Sequence, residues 1–273
     1  MRSSVVLCYH GVSSSWPSSL AITPDRFREQ IEFLLGRGCR PVLFGDLVEH
    51  GGANGSGGHE GAFAVTFDDG YRSVLEQAFP VLAELGVPAT VFVPTDLVER
   101  PGPMCWDGIE QWLGTPHEYE LEGLDWGELR ELRANGWEIG SHACTHPRLT
   151  ELDSDSLHAE LSESRRRLER ELSAECTSLA YPYGDQDERV RAAARAAGYR
   201  AAGSMCPGKP DPMCWPRVGI YPNDGPLRFR LKASPAVSEF RATGLGRLIE
   251  RARVSLLPAE VAVIEDALSV GLW

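Results

Sequence analysis

The chain has 273 residues, of which 42% are hydrophobic and 24% charged, enough apolar content for one large α/β core or two modest ones and unlike a disordered chain. Its formal net charge of −12, from 39 acidic and 27 basic residues, argues against general nucleic-acid binding, which depends on Lys and Arg neutralising phosphates. No apolar run reaches the ~18 residues of a membrane span.

In chain order, short β-rich runs alternate with amphipathic helical patterns. Val5-Val6-Leu7-Cys8-Tyr9 reads as a strand, and Pro24 followed by Phe27, Ile31, Leu34 and Leu35 reads as a helix stopped by Gly36-Arg37-Gly38. A shorter strand and helix follow at 40–47, then a glycine-dense surface loop at 51–61. Phe63–Phe67 is a strand, Val74 to Leu85 a helix closed by Gly86, and Ala89–Val93 a strand rich in β-branched residues. After a Trp-, Gly- and Pro-rich excursion at 101–124, Leu129 and Leu132 lie on a helix ended by Asn135-Gly136, and 137–141 reads as a strand. Residues 154–175 form a long charged helix with an apolar stripe at Leu157, Leu161, Leu168 and Leu172. A strand at 178–181, a helix at 188–197 and a last clear strand at 199–203 complete the pattern.

Helix-length connections between strands imply parallel pairing and right-handed crossovers. The expectation is a distorted, TIM-like (β/α) barrel of six to eight parallel strands in a single domain, with a doubly wound open sheet as the alternative. The barrel is expected over 1–223, and 224–273 as a C-terminal helical extension packed on it, with helices at 238–253 and 259–272. The first of these pairs Phe240, Leu245, Leu248 and Ile249 with Arg241, Arg247, Arg251 and Arg253, a pattern for a packing helix or for peripheral contact with a membrane. The seven cysteines are odd in number, scattered and free of a CxxC pair, as expected for reduced thiols. With an opening that lacks the pattern of a signal peptide, this points to a cytoplasmic protein. Nothing in the sequence fixes an oligomeric state.

Four polar motifs carry the chemistry. Thr66-Phe67-Asp68-Asp69-Gly70 places two adjacent carboxylates at the end of a buried strand, where repulsion and desolvation disfavour both charges and a cation would relieve one. Alone it also fits an Asp capping the next helix. Ser141-His142-Ala143-Cys144-Thr145-His146-Pro147 carries two histidines four apart, read as converging on one side of a helical turn at a spacing suited to a divalent metal. Cys144 between them is expected to point elsewhere. Ala180-Tyr181-Pro182-Tyr183-Gly184-Asp185 is a turn able to present backbone N–H groups to an oxyanion, and Cys8-Tyr9-His10-Gly11 puts a histidine at a strand end. His10, Asp68, Asp69, His142, His146 and Tyr183 all fall just past the C-terminal end of an expected strand, the rim where barrel active sites assemble.

These motifs resemble those of the polysaccharide deacetylases (carbohydrate esterase family 4, the NodB-homology domain). TFDDG resembles the first family motif, SHACTHP the second and YPYGD a variant of the third, over roughly Val5 to Tyr221. The resemblance implies a distorted (β/α) barrel, hydrolysis of an N-acetyl group on a carbohydrate, and a divalent metal, most often Zn2+ with Co2+, Ni2+ or Mn2+ as alternatives. By matching positions it makes Asp69, His142 and His146 the metal ligands, Asp68 the general base and the Tyr183 backbone N–H an oxyanion donor. Two departures stand out. No His follows His158, so the late histidine that serves as general acid is missing. Instead Tyr9-His10-Gly11-Val12, followed by Thr23-Pro24-Asp25-Arg26-Phe27, resembles the subgroup containing poly-N-acetylglucosamine deacetylases, which gives the acid role to His10. Ala180 stands where the third motif usually has an Arg, and Arg217 in Trp215-Pro216-Arg217-Val218-Gly219 is the candidate substitute, a surface Arg being the alternative. Other substrates for the same chemistry are a small glycoside or a natural-product intermediate. A non-catalytic carbohydrate-binding or assembly protein is the reading outside enzymes. Five tryptophans, Trp16, Trp106, Trp112, Trp126 and Trp215, are candidates for stacking on sugar rings or for core packing.

Overall fold

The computed structural model describes residues 4–50, 61–206, 208–234 and 243. The glycine-dense loop, apart from Gly61, and the two C-terminal helices, apart from Thr243, lie outside the described residues. Among the described residues there are eleven strands: β1 (Val5–Tyr9), β2 (Gly11–Val12), β3 (Ala21–Ile22), β4 (Arg40–Pro41), β5 (Ala62–Phe67), β6 (Ala89–Val93), β7 (Glu138–Ser141), β8 (Ser178–Ala180), β9 (Ala201–Ser204), β10 (Trp215–Pro216) and β11 (Val218–Gly219). The helices are α1 (Pro24–Gly36), α2 (Phe44–His50), α3 (Phe79–Leu85), α4 (Trp126–Ala134), α5 (Ser154–Leu172), α6 (Glu188–Ala197) and α7 (Pro226–Lys232).

Eight strands form one path in the order β10-β9-β8-β7-β6-β5-β1-β11, and β4 pairs with the start of β5. Every pairing on that path is parallel. The ends of the path, β10 and β11, are separated by Arg217 alone, so one broken strand nearly closes the barrel. This closing strand was not expected from the sequence, which reads 199–203 as the last. Its pieces are two residues each and one contains a proline, too short for a periodic signal.

All residues of β5 and β6 are buried, the mark of parallel strands covered on both faces. Alternate residues divide between two cores. Val6, Ala62, Ala64, Phe92, Ala180, Ala201 and Trp215 form one apolar cluster, joined by Phe44, Leu47 and Val48 of α2. Leu7, Tyr9, Phe63, Val65, Phe67, Val91, Ile139 and Leu179 belong to the larger core shared with the helices. The first set is dominated by small side chains, which suits the inside of a narrow barrel. Its N-terminal end is sealed by Glu138, which accepts hydrogen bonds from Gly45 N (2.9 Å), Thr90 Oγ1 (2.7 Å) and the Ser178 hydroxyl. Burial raises the Glu138 carboxyl above its ordinary range despite these donors.

The long helix α5 ends at Leu172 rather than running to 175, because Ser173 turns left-handed with φ of 49°. Helix α7 is tied back to the barrel through a buried ion pair. Lys232 Nζ donates to Asp224 Oδ2 (2.7 Å) and to Gly219 O (2.9 Å), while Asp224 Oδ2 also accepts from Tyr221 N (2.8 Å). Among the described residues no helix is long and apolar enough to cross a membrane. Asp224 also pairs with Arg228 Nε (3.0 Å), so Lys232→Ala leaves the buried carboxylate one cation and is expected to destabilise the protein by about 1.5–3 kcal/mol, the loss of a charge-assisted hydrogen bond. Urea denaturation checks this, and a change under about 1 kcal/mol would refute the role of the pair.

Candidate active site

The site lies beyond the C-terminal ends of the strands. Asp68 N donates to Tyr9 O and His142 N to Val93 O, both at 2.9 Å, so each chain leaves its strand in register with a neighbour. Asp69 (φ 70°), Ala143 (φ 63°), His146 (φ 63°) and Tyr183 (φ 59°) are all left-handed. Such backbone costs about 1–3 kcal/mol per non-glycine residue and marks sites where geometry is imposed for function. Gly70, at φ 69°, could carry no side chain, since a Cβ there would lie 2.6 Å from Val93 Cγ1.

Asp69, His142 and His146 converge, with one ligand atom from each lying within 4.8 Å of the others. Asp69 Oδ1 lies 3.4 Å from His142 Nε2 and 3.3 Å from His146 Nε2. The pair of histidines is not on a helical turn, as its spacing had implied. Residues 142–147 form an irregular loop after β7, and left-handed Ala143 and His146 fold both rings back onto Asp69. The loop is fixed by Glu160 of α5, whose carboxylate accepts from Cys144 N (2.7 Å), Thr145 N (3.0 Å) and Thr145 Oγ1 (2.7 Å). The Cys144 thiol points at Glu160 O, away from the other three.

The donor chemistry fits a divalent cation. His142 Nδ1 lies 2.8 Å from Ala180 O, and because a carbonyl only accepts, Nδ1 carries the proton and Nε2 presents its lone pair toward Asp69. Burial outweighs the pull of Asp69 at His146 and holds its pKa below the ordinary value, favouring the neutral, ligating form. At His142 burial also acts downward, but Asp69 and Asp68 overcome it and raise the pKa. Burial would raise the Asp69 carboxyl, yet hydrogen bonding to both histidines holds it well below the usual carboxylate range. Two histidines and one carboxylate leave positions open for water and substrate.

Asp68 faces a different partner. Arg217, only 3% exposed, donates from Nη1 to Asp68 Oδ1 (2.6 Å) and from Nη2 to Asp68 Oδ2 (2.7 Å), and Nη1 reaches Thr66 Oγ1 (3.2 Å). This excludes a surface arginine. Burial opposes the charge on Asp68, but the Arg217 guanidinium, with His142 and His10, more than offsets it, so the carboxyl sits below its usual range. Arg217 enters where β10 breaks from β11 and passes over Gly203, where a Cβ would lie 2.6 Å from its Nε. The Cys8 thiol also donates to Asp68 Oδ2 (3.4 Å), a contact the sequence did not signal. His10 joins the group: one ligand atom each from Cys8, His10 and Asp68 lies within 4.8 Å of the others.

A cavity of about 370 Å3 opens over these groups and is lined by His10, Asp68, Asp69, His142, His146 and Tyr183, with Trp106 and Trp112 from the 101–124 excursion. Trp106 packs 4.3 Å from the His146 ring and Tyr183 packs 4.6 Å from it on an edge. Of the five candidate tryptophans, these two face the cavity, whereas Trp16, Trp126 and Trp215 are buried in packed clusters.

The polysaccharide deacetylase family profile matches residues 56–202, over half of the chain. The chain belongs to the polysaccharide deacetylase family. Relatives of this chain include YxkH of Bacillus subtilis (strain 168), whose name places it in the same family, 25% identical over 205 residues covering 74% of this chain and 64% of YxkH. A poly-β-1,6-N-acetyl-D-glucosamine N-deacetylase of Staphylococcus aureus (strain MSSA476) is 24% identical over 213 residues, 72% of this chain and 65% of the relative. Both matches therefore span just under two thirds of the relative's length. The solved structure of IcaB from Ammonifex degensii shares the fold, with a TM-score of 0.67, 24% identity and coverage of 88% of this chain and 98% of that one.

Replacing His146 by Ala, or Asp69 by Asn, is expected to weaken Zn2+ binding by at least about a hundredfold in equilibrium dialysis, while Cys144→Ala leaves it unchanged. Equal Zn2+ affinity in all three variants would remove the triad as the ligand set.

Proposed function

We propose that the protein is a divalent-metal-dependent hydrolase that removes the N-acetyl group of an N-acetylated carbohydrate. The observation that carries this reading is the pairing of Asp69, His142 and His146 beside an ionised Asp68 at the floor of one cavity. Asp69, His142 and His146 would hold the cation, Zn2+ by preference because imidazole and carboxylate ligands suit it. A cation held there supplies Lewis-acid polarisation of the acetyl carbonyl and lowers the pKa of water.

The chain's own groups do the rest. Asp68, kept ionised by Arg217, accepts the proton of the attacking water at a carboxylate oxygen. The Tyr183 backbone N–H, in its left-handed turn after β8, donates to the oxygen that gains negative charge, where one such donor is worth about 3–4 kcal/mol. His10 gives a proton to the departing sugar nitrogen. Arg217 thereby takes the positioning role for which the third motif, with Ala180 at its head, has no side chain. Trp106 and Trp112 offer faces on which a sugar ring can stack. The name of the Staphylococcus aureus relative makes β-1,6-linked N-acetylglucosamine the first substrate class to test.

Acetate release should fall by about 10²–10⁴-fold in Asp68→Asn and in His10→Ala. Unchanged turnover in His10→Ala beside an inactive Asp68→Asn would remove His10 as the acid and leave the base standing. A second expectation concerns pH. Burial raises the Asp68 pKa and Arg217, with His142 and His10, lowers it, so Arg217→Gln removes part of the opposition to burial and leaves Asp68 protonated over a wider acidic range. The acid limb of kcat/KM should therefore move to higher pH. An acid limb that stays in place would mean that Asp68 is not the titrating base.

A further inference from the structure

Arg148 lines the same cavity and has no part in the chemistry above. It is half-buried and follows His146 and Pro147 on the loop held by Glu160. Its guanidinium carbon lies 4.4 Å from the centre of the Tyr183 ring, whose edge contact with His146 spans 4.6 Å. The cation is thus held against the cavity wall, one aromatic ring removed from His146.

The carboxylates on the floor already have partners: Asp68 pairs with Arg217, and Asp69 lies against the two histidines. Asp107 also borders the cavity, but it is exposed and makes no ion pair with Arg148, while its carbonyl accepts from the Tyr183 hydroxyl (3.2 Å). No ion pair involves Arg148 among the described residues, whereas Arg28, Arg72, Arg165, Arg167, Arg191 and Arg200 all have carboxylate partners. Stacking on an aromatic face fixes the guanidinium plane without using its N–H fork, which matches carboxylate and phosphate oxygens bidentately.

We propose that Arg148 binds an anionic group of the substrate, a phosphate ester or a carboxylate borne on or beside the sugar that loses its acetyl group. An anionic N-acetylated glycoconjugate is then bound more tightly than a neutral chain of the same sugar. This rests on the deacetylase reading for the identity of the sugar, but the anion site can be tested by binding alone. The cavity of about 370 Å3 is at the small end of ligand pockets and suits a short substrate.

The test measures calorimetric binding and acetate release for N-acetylglucosamine 1-phosphate, N-acetylmuramic acid and the neutral methyl glycoside of N-acetylglucosamine. It uses zinc-loaded full-length protein and its Arg148→Gln and Arg148→Lys variants. The wild type should bind the phosphate ester or the acid at least about tenfold tighter than the glycoside, a usual margin for a charge-assisted contact, and whichever is preferred identifies the group. Arg148→Gln should lose that margin and Arg148→Lys keep part of it. Equal binding of charged and neutral sugars, or a margin that survives in Arg148→Gln, would overturn the proposal. A margin lost in Arg148→Gln, without acetate release from any of the three sugars, would uphold the anion site and count against the deacetylase reading.

Discussion

Two carboxylates follow one another at the end of a buried strand, and the site depends on how their charges are balanced. Asp68 and Asp69 are each only 4% exposed, so neither can rely on water. Left-handed φ at Asp69 splits their paths: Asp68 meets the guanidinium of Arg217, and Asp69 meets the two imidazoles. Adjacent residues thus acquire opposite capacities, one a carboxylate locked to a fixed cation, the other free to ligate an exchangeable one. Burial favours a proton on Asp68, and Arg217 opposes it together with His142 and His10.

That arrangement constrains the barrel beneath it. A guanidinium reaching Asp68 from the closing strand needs space inside, and Gly203 leaves it, since a Cβ there would lie 2.6 Å from Arg217 Nε. Phe92 lies under the guanidinium, 5.4 Å from ring centre to Cζ, giving the buried cation an aromatic floor. The break between β10 and β11 has the same origin, since Arg217 interrupts the strand at the point where it points inward. The Lys232–Asp224 pair then holds the segment after β11, including Tyr221 at the cavity edge, against α7. Stability and site geometry are therefore coupled through 215–232.

Most of this barrel was legible because its strands are buried on both faces and so read as short apolar runs between helical periods. The rim was legible for a related reason: polar residues directly after such runs, as at His10, Asp68 and His142, stand out against their context. What the sequence concealed depends on long-range contacts. The closing strand has no periodicity of its own and exists through its pairing with β9 and β1. The histidine spacing fits a helix as well as a loop, and the left-handed residues that decide between them have ordinary side chains. Glu160 is one acidic residue among many on α5, marked only by its contact with the 144–145 amides, 15–16 residues away along the chain. The tryptophans divide between cavity and core by tertiary position, which composition cannot report.

The direct test of metal-dependent N-deacetylation is acetate release from β-1,6-linked N-acetylglucosamine oligomers by protein stripped with a chelator and then titrated with Zn2+. Release should vanish on stripping and return in full at about one Zn2+ per chain, the stoichiometry of one Asp-His-His set. Undiminished release from protein verified to be metal-free would contradict the assignment of Asp69, His142 and His146 as the ligands on which the chemistry depends.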